Sequence, residues 1–197
     1  GSGKSTLLRI LAGQLPCGSG EVRLNGLPLG EVAPSALARE VGFVPQESML
    51  LSESVEENVR LGRQIEHGRR MRALELADLP PEELSAGVDT RLGQGGSGVS
   101  GGQKQRVAIA RALAGDPSLC LFDDCTAALD ADLEERFWNG MRGSEGVVFV
   151  VTHREATVRR SDYVLFLHEG GLNDSGTHEE LLCRNELYRL VLATWMQ

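Results

Sequence analysis

The sequence predicts an α/β fold, with helices covering a mainly parallel sheet. Three observations carry the prediction. Residues 119–122 and 147–151 are continuous apolar runs, the pattern of strands buried on both faces. Helical patterns separate the strand-like runs, and such alternation builds parallel sheets. The chain opens on Gly1-Ser2-Gly3-Lys4-Ser5-Thr6, the back half of the phosphate-loop pattern G-x-x-x-x-G-K-[ST]. Its glycines let successive backbone N–H groups point at phosphate oxygens. Lys4 can reach a nucleotide's β- and γ-phosphates, and the Ser5 hydroxyl can bind Mg²⁺.

Taken in order, residues 6–12 read as a helix whose N-terminus favours an anion, ending at Gly13. Residues 21–26 alternate and end in Asn25-Gly26, a strand entering a hairpin. Residues 41–45 form a short strand stopped by Pro45. Gln46 follows at its C-terminal end, where open α/β sheets bind ligands. Ser54 and Glu57 have capping-box spacing before a helix over 55–61. Residues 69–77 read as an amphipathic helix with a solvated basic face, ended by Pro80-Pro81. A glycine-rich loop over 93–102 leads to a helix over 103–114. Residues 163–168 read as a strand, 169–171 as a turn, and 179–182 and 186–196 as closing helices. There is no internal repeat.

Composition narrows the possibilities. The 197 residues fit one large domain or two small ones, and 41% hydrophobic residues with 5% aromatics give a mainly aliphatic core. A net charge of −8 argues against broad nucleic-acid binding through phosphates. No apolar run is long enough to cross a bilayer, and no secretory leader is visible. Cys17, Cys120, Cys125 and Cys183 are scattered without C-x-x-C spacing, as expected of reduced thiols.

Several residues carry possible chemistry. Asp123 ends an apolar strand and can hold Mg²⁺ at its tip. As a loop residue it would be a helix cap instead. Asp124 can orient or deprotonate an attacking water. His153 ends the neighbouring apolar strand, where a ring nitrogen can approach a γ-phosphate. Ser100-Gly101-Gly102-Gln103 opens a second glycine-rich helix N-terminus, so either the chain binds two anions or two copies share them.

In this order, the motifs resemble the nucleotide-binding domain of an ABC transporter. Residues 1–6 match Walker A, Gln46 the Q-loop, Val99 to Gln103 the signature, and Leu119 to Asp124 Walker B. Ala127-Ala128-Leu129-Asp130 matches the D-loop and His153 the H-loop. The resemblance implies a RecA-like P-loop core over about 1–47 and 115–197, with a helical subdomain over about 48–114. It implies ATP and Mg²⁺. Gly1, Ser2, Gly3, Lys4, Ser5 and Thr6 would grip phosphates, and Ser5, Gln46 and Asp123 would serve the metal. Asp124 and His153 would act in hydrolysis. Ser100, Gly101, Gly102 and Gln103 would face the ATP of a second ABC domain in a head-to-tail dimer.

Other segments resemble exporters: Thr90 to Gly96 as an X-loop, Glu53 to Val59 after the Q-loop, and Gly176 to Leu182 near the end. They imply a transmembrane domain on the same full-length chain and a place on the cytoplasmic face of the cell (inner) membrane. The start inside Walker A is read as a truncation, with the adenine-stacking residue upstream.

The chain departs from the pattern at Asp124, where the family has glutamate. Aspartate sets the carboxylate about 1 Å back, a displacement worth on the order of 100-fold in rate, or about 2.7 kcal/mol of barrier. This resembles the slow site of heterodimeric exporters. Val99, Gln94 and Ala127 are further substitutions in the signature, X-loop and D-loop. Two rival readings are a soluble ABC ATPase, which would need a second cassette or a coiled-coil insertion, and an ATP-dependent dimerisation module with little hydrolysis.

Overall fold

The computed structural model describes residues 1–93, 97–127, 129–142 and 146–195. Gln94, Gly95, Gly96, Ala128 and Met196, named above, lie outside them. The centre is a parallel sheet of three strands, β3 (Val41–Val44), β5 (Leu119–Asp123) and β6 (Val147–Val151), with β5 in the middle. All three run the same way, so Gln46, Asp123, Asp124 and His153 emerge at one edge.

The period-2 geometry of a strand sorts side chains between two cores. Val44, Cys120, Phe122, Val148 and Val150 face a large cluster with Leu74, Val107, Ile109 and Phe137. Leu119, Leu121, Phe149 and Val151 face the other side, against Leu8 and Leu11. Helix α1 (Lys4–Leu11) therefore covers one face. α5 (Gly101–Leu113) and α6 (Ala131–Met141) cover the other. Gly42 allows α5 to lie close on β3, because a Cβ there would sit 2.6 Å from the Ala112 carbonyl oxygen. Phe122 meets Phe137 and Trp138 edge-on, with ring centroids 5.7 and 6.1 Å apart, a favoured aromatic geometry.

The Asn25-Gly26 turn is as expected, both residues having positive φ between the two-residue strands β1 (Arg23–Leu24) and β2 (Leu27–Pro28). Helices α3 (Val55–Arg60) and α4 (His67–Leu76) pack on α5. The large cluster runs unbroken from these helices into the sheet. Ser54 Oγ accepts the Glu57 N–H at 3.1 Å, but Glu57 pairs with Arg60 at 2.9 Å rather than closing the box. α4 ends before Pro80-Pro81, because Asp78 turns the chain with φ 51°. Its basic face is only partly solvated: Arg70 pairs with Glu56 at 2.7 Å, while Arg69 and Arg72 are exposed.

Five further elements are not read from the sequence. They are α2 (Pro34–Glu40), a short strand β4 (Ser85–Val88), α6, α7 (Glu155–Arg160) and β8 (Gly171–Gly176). β8 pairs antiparallel with β7 (Val164–His168), so that edge departs from the parallel pattern. The closing helices α8 (His178–Arg184) and α9 (Glu186–Trp195) form a third cluster with β7, including Val158, Phe166, Leu181 and Tyr188. The four cysteines are free thiols, Cys120 and Cys125 buried, Cys17 and Cys183 exposed. No helix among the described residues is long and apolar enough to cross a membrane.

An apolar cavity of about 330 Å³ separates β6 from β7, lined by residues 148–153 and 164–168. Among the described residues nothing pairs with the strand edges that face it.

Candidate nucleotide site

The opening stretch enters α1 through Gly3, whose φ of 87° a side chain rarely adopts. No side chain caps this helix end, so its first N–H groups remain available to an anion. Lys4 Nζ donates to Ser2 Oγ at 2.7 Å. Both residues line the cavity beside β6 together with His153.

Ser5 Oγ donates to Asp123 Oδ1 at 3.1 Å, joining positions 118 residues apart. Asp123 is the last residue of β5 and is 4% exposed. It is thus a strand-tip carboxylate rather than a helix cap. Among the described residues no group of three or more His, Cys, Asp or Glu could hold a metal ion unaided. A hydroxyl beside a single carboxylate still fits Mg²⁺. That ion takes one or two carboxylates and completes its shell with phosphates and water.

Asp124 follows with φ 49°, a left-handed conformation that aspartate tolerates better than most residues. Its backbone N–H donates to the Val151 carbonyl at 2.9 Å. Burial pushes the Asp124 carboxyl above the usual carboxylate range, and the Asp123 charge adds to this. His153, Arg154 and the His153 backbone N–H offset only part of this rise. His153 is exposed at the tip of β6, and Gln46 is exposed after β3.

The second glycine-rich helix end is built differently. Ser100 Oγ accepts the Gln103 N–H at 3.1 Å, and Gln103 Oε1 accepts the Ser100 N–H at 2.9 Å. Gln103 Nε2 also donates to the Glu83 carbonyl at 3.3 Å. No described hydrogen bond joins residues 100–103 to the opening loop or to Asp123. The structure therefore gathers Ser2, Lys4, Ser5, Asp123, Asp124 and His153, and leaves the Ser100 segment on the helical side.

Two features escape the sequence reading. Asp130, matched to the D-loop, caps α6 by accepting the Leu133 N–H at 2.9 Å. Arg111 of α5 donates to the Met49 carbonyl at 2.8 Å and to Asn58 Oδ1 at 2.7 Å. It thereby ties the segment after Gln46 to the helix that Ser100 begins.

A glycine loop running uncapped into a helix, its serine bonded to a buried strand-tip aspartate, defines the class: a P-loop nucleotide-binding domain. Comparison with known proteins narrows it. The family model for the ABC transporter matches residues 1–127. An uncharacterized ABC transporter ATP-binding protein YfiB of Bacillus subtilis is 36% identical over 194 residues, covering 97% of this chain and 34% of that protein. An ATP-dependent lipid A-core flippase of Ralstonia nicotianae is 37% identical over 196 residues, covering 95% and 33%. A solved bacterial Atm1-family ABC exporter with ATP bound superimposes with a TM-score of 0.92 at 33% identity, covering all of this chain and 35% of that one. The chain belongs to the ABC transporter family, and it spans about a third of the length of these two relatives.

Proposed function

We propose that this chain is the ATP-binding and hydrolysing motor domain of a membrane exporter. The observation that carries the proposal is the 3.1 Å bond from Ser5 to Asp123, with Asp124 and His153 at the same sheet edge. The family supports the setting: a transmembrane domain on the full-length chain, and this domain at the cytoplasmic face of the membrane. A RecA-like core over about 1–47 and 115–197 would carry the site. A helical subdomain over about 48–114 would carry residues 100–103.

In this reading Gly1, Gly3 and the first N–H groups of α1 cradle the phosphates, with Ser2 and Thr6 beside them. Lys4 leaves Ser2 for the β- and γ-phosphate oxygens. Ser5, Gln46 and Asp123 would hold Mg²⁺, which would neutralise charge on the phosphate oxygens. Asp124 orients the attacking water and takes its proton as the bond to the γ-phosphorus forms and the β–γ bridge breaks. Its partial burial suits it to accept a proton. His153 faces the γ-phosphate. Ser100, Gly101, Gly102 and Gln103 complete the ATP site of a second ABC domain.

The short Asp124 side chain supports a slow site within a heterodimer. ATP turnover by the full-length protein, alone and with a cognate second ABC chain, tests this. Slow turnover alone, rising at least about tenfold with the partner, is expected from a displaced carboxylate. Fast turnover alone, abolished by Asp124→Asn, overturns the slow-site reading. ATP-driven dimerisation without turnover in either case would favour the dimerisation module, which the same short side chain also supports.

A further inference from the structure

Glu134 is an acid on the buried face of α6, 5% exposed. Its Oε1 accepts from Thr126 Oγ1 at 2.9 Å, Thr157 Oγ1 at 2.6 Å and Trp138 Nε1 at 3.3 Å. Its Oε2 accepts from Arg154 Nη1. Arg154 reaches further, with Nη2 donating to the Ala127 carbonyl at 3.2 Å and the Leu129 carbonyl at 2.9 Å. Arg154 directly follows His153, and its own N–H donates to Thr152 Oγ1 at 3.0 Å. Burial works against a charge on Glu134, yet the bonds from Thr157, Arg154 and Thr126 outweigh it and hold its carboxyl below the usual glutamate range.

This pair joins the two loops that matter for hydrolysis. One side is the loop after β5, which begins at Asp124 and includes Thr126, Ala127 and Leu129. The other is the turn after β6, which carries His153. Glu134 is buried and Arg154 only partly so, and such an ion pair is a weak device for stability, since apolar side chains of similar size can hold a fold as well. What it supplies is direction. A planar guanidinium can bond a carboxylate and two carbonyls at fixed angles, which an ammonium cannot.

We infer that Glu134 and Arg154 are positioning residues, a clamp that fixes the Asp124 loop against the His153 turn. Neither touches the reacting atoms in this arrangement. The inference rests on the proposed hydrolytic site.

The test uses the full-length protein with its cognate partner, in wild-type, Glu134→Gln and Arg154→Lys forms. ATP affinity is read with a fluorescent ATP analogue and the hydrolytic step by single turnover. Glu134→Gln keeps the shape and the hydroxyl partners but loses the charge, and Arg154→Lys keeps the charge but loses the fork. Each is expected to slow the single-turnover step by about 10-fold to 100-fold, the range for small misplacements, with ATP affinity changed less than about twofold. Amide hydrogen exchange gives a reading independent of turnover: residues 124–130 and 152–155 lose protection together, while β5 and α1 keep theirs. Arg154→Lys behaving like wild type, or exchange rising in one loop alone or in neither, overturns the clamp. Failure of the wild-type protein to bind or turn over ATP would instead sink the proposed function, and the exchange result would still decide the clamp.

Discussion

Helices α1 and α5 both begin at glycine-rich turns, and they differ in how many of their first N–H groups a side chain meets. α1 starts from Gly3 with no side-chain cap. α5 starts from Ser100 with a complete reciprocal box to Gln103. Four N–H groups at a helix start lack intrahelical partners, and leaving them unmet costs free energy unless water or a ligand takes them. α1 leaves its first N–H groups to water or a ligand, whereas the α5 box meets those of Ser100 and Gln103, holds Ser100 in an exposed place, and leaves the Gly101 and Gly102 N–H groups without a described partner. The difference is one of degree: a side-chain box is absent at α1 and present at α5.

The largest expected effect falls on α1. Lys4→Ala should weaken ATP binding by about 10-fold to 150-fold, the equivalent of a charge-assisted hydrogen bond of about 1.5–3 kcal/mol. Equilibrium binding to the full-length protein would measure it, and an unchanged affinity would break the comparison. Glycine substitutions come next. Gly3 has φ 87° with open space around a Cβ, so Gly3→Ala should cost about 1–2 kcal/mol of stability from backbone strain alone. Gly101 has open space and no positive φ, so Gly101→Ala should leave the melting temperature unchanged or raise it. If Gly101 faces a partner's ATP, the same variant should still depress turnover of the assembled dimer. The smallest effect concerns the cap. Ser100→Ala should cost about 1 kcal/mol and Ser100→Gly only a few tenths, both read by denaturant unfolding. Equal losses would mean that the cap is not what holds Ser100.

The elements easiest to read were those whose local chemistry and burial agree. Residues 119–122 and 148–151 are apolar on both faces because side chains of each run pack into a cluster on either side of the sheet. The Asn25-Gly26 turn needs two positive φ values and carries residues that supply them. β8 was illegible because Gly171-Leu172-Asn173-Asp174-Ser175-Gly176 has no strand propensity, and it is extended because β7 pairs with it. α6 was hidden behind a motif, its cap Asp130 having been assigned to a functional loop. Glu134 could have been found, because it shares a helix face with Phe137, Trp138 and Met141, which are all buried. An acid inside an apolar stripe needs partners, and the sequence cannot show that they come from two separate loops. At the candidate site, the sequence marks Lys4, Ser5, Asp123, Asp124 and His153 one by one, and the fold brings them to one end of the sheet. The box at Ser100 is local, with the S-x-x-Q spacing visible in the chain, whereas the grip of Arg111 on the segment after Gln46 emerges only when the helices are packed.

The gap between β6 and β7 bears on how this chain behaves in a tube. Along β6 and β7, backbone groups face a slot lined mainly by valine, leucine and phenylalanine. Unpaired strand edges invite any extended segment to join them. A single strand entering here would bond to neighbours on both sides at once and bury its side chains as it did so. A polypeptide of residues 1–197 produced by itself is expected to associate at high concentration through this slot. Light scattering across a dilution series would show it as a concentration-dependent rise in apparent mass. An added peptide of alternating valine and threonine should suppress that rise by occupying the slot first.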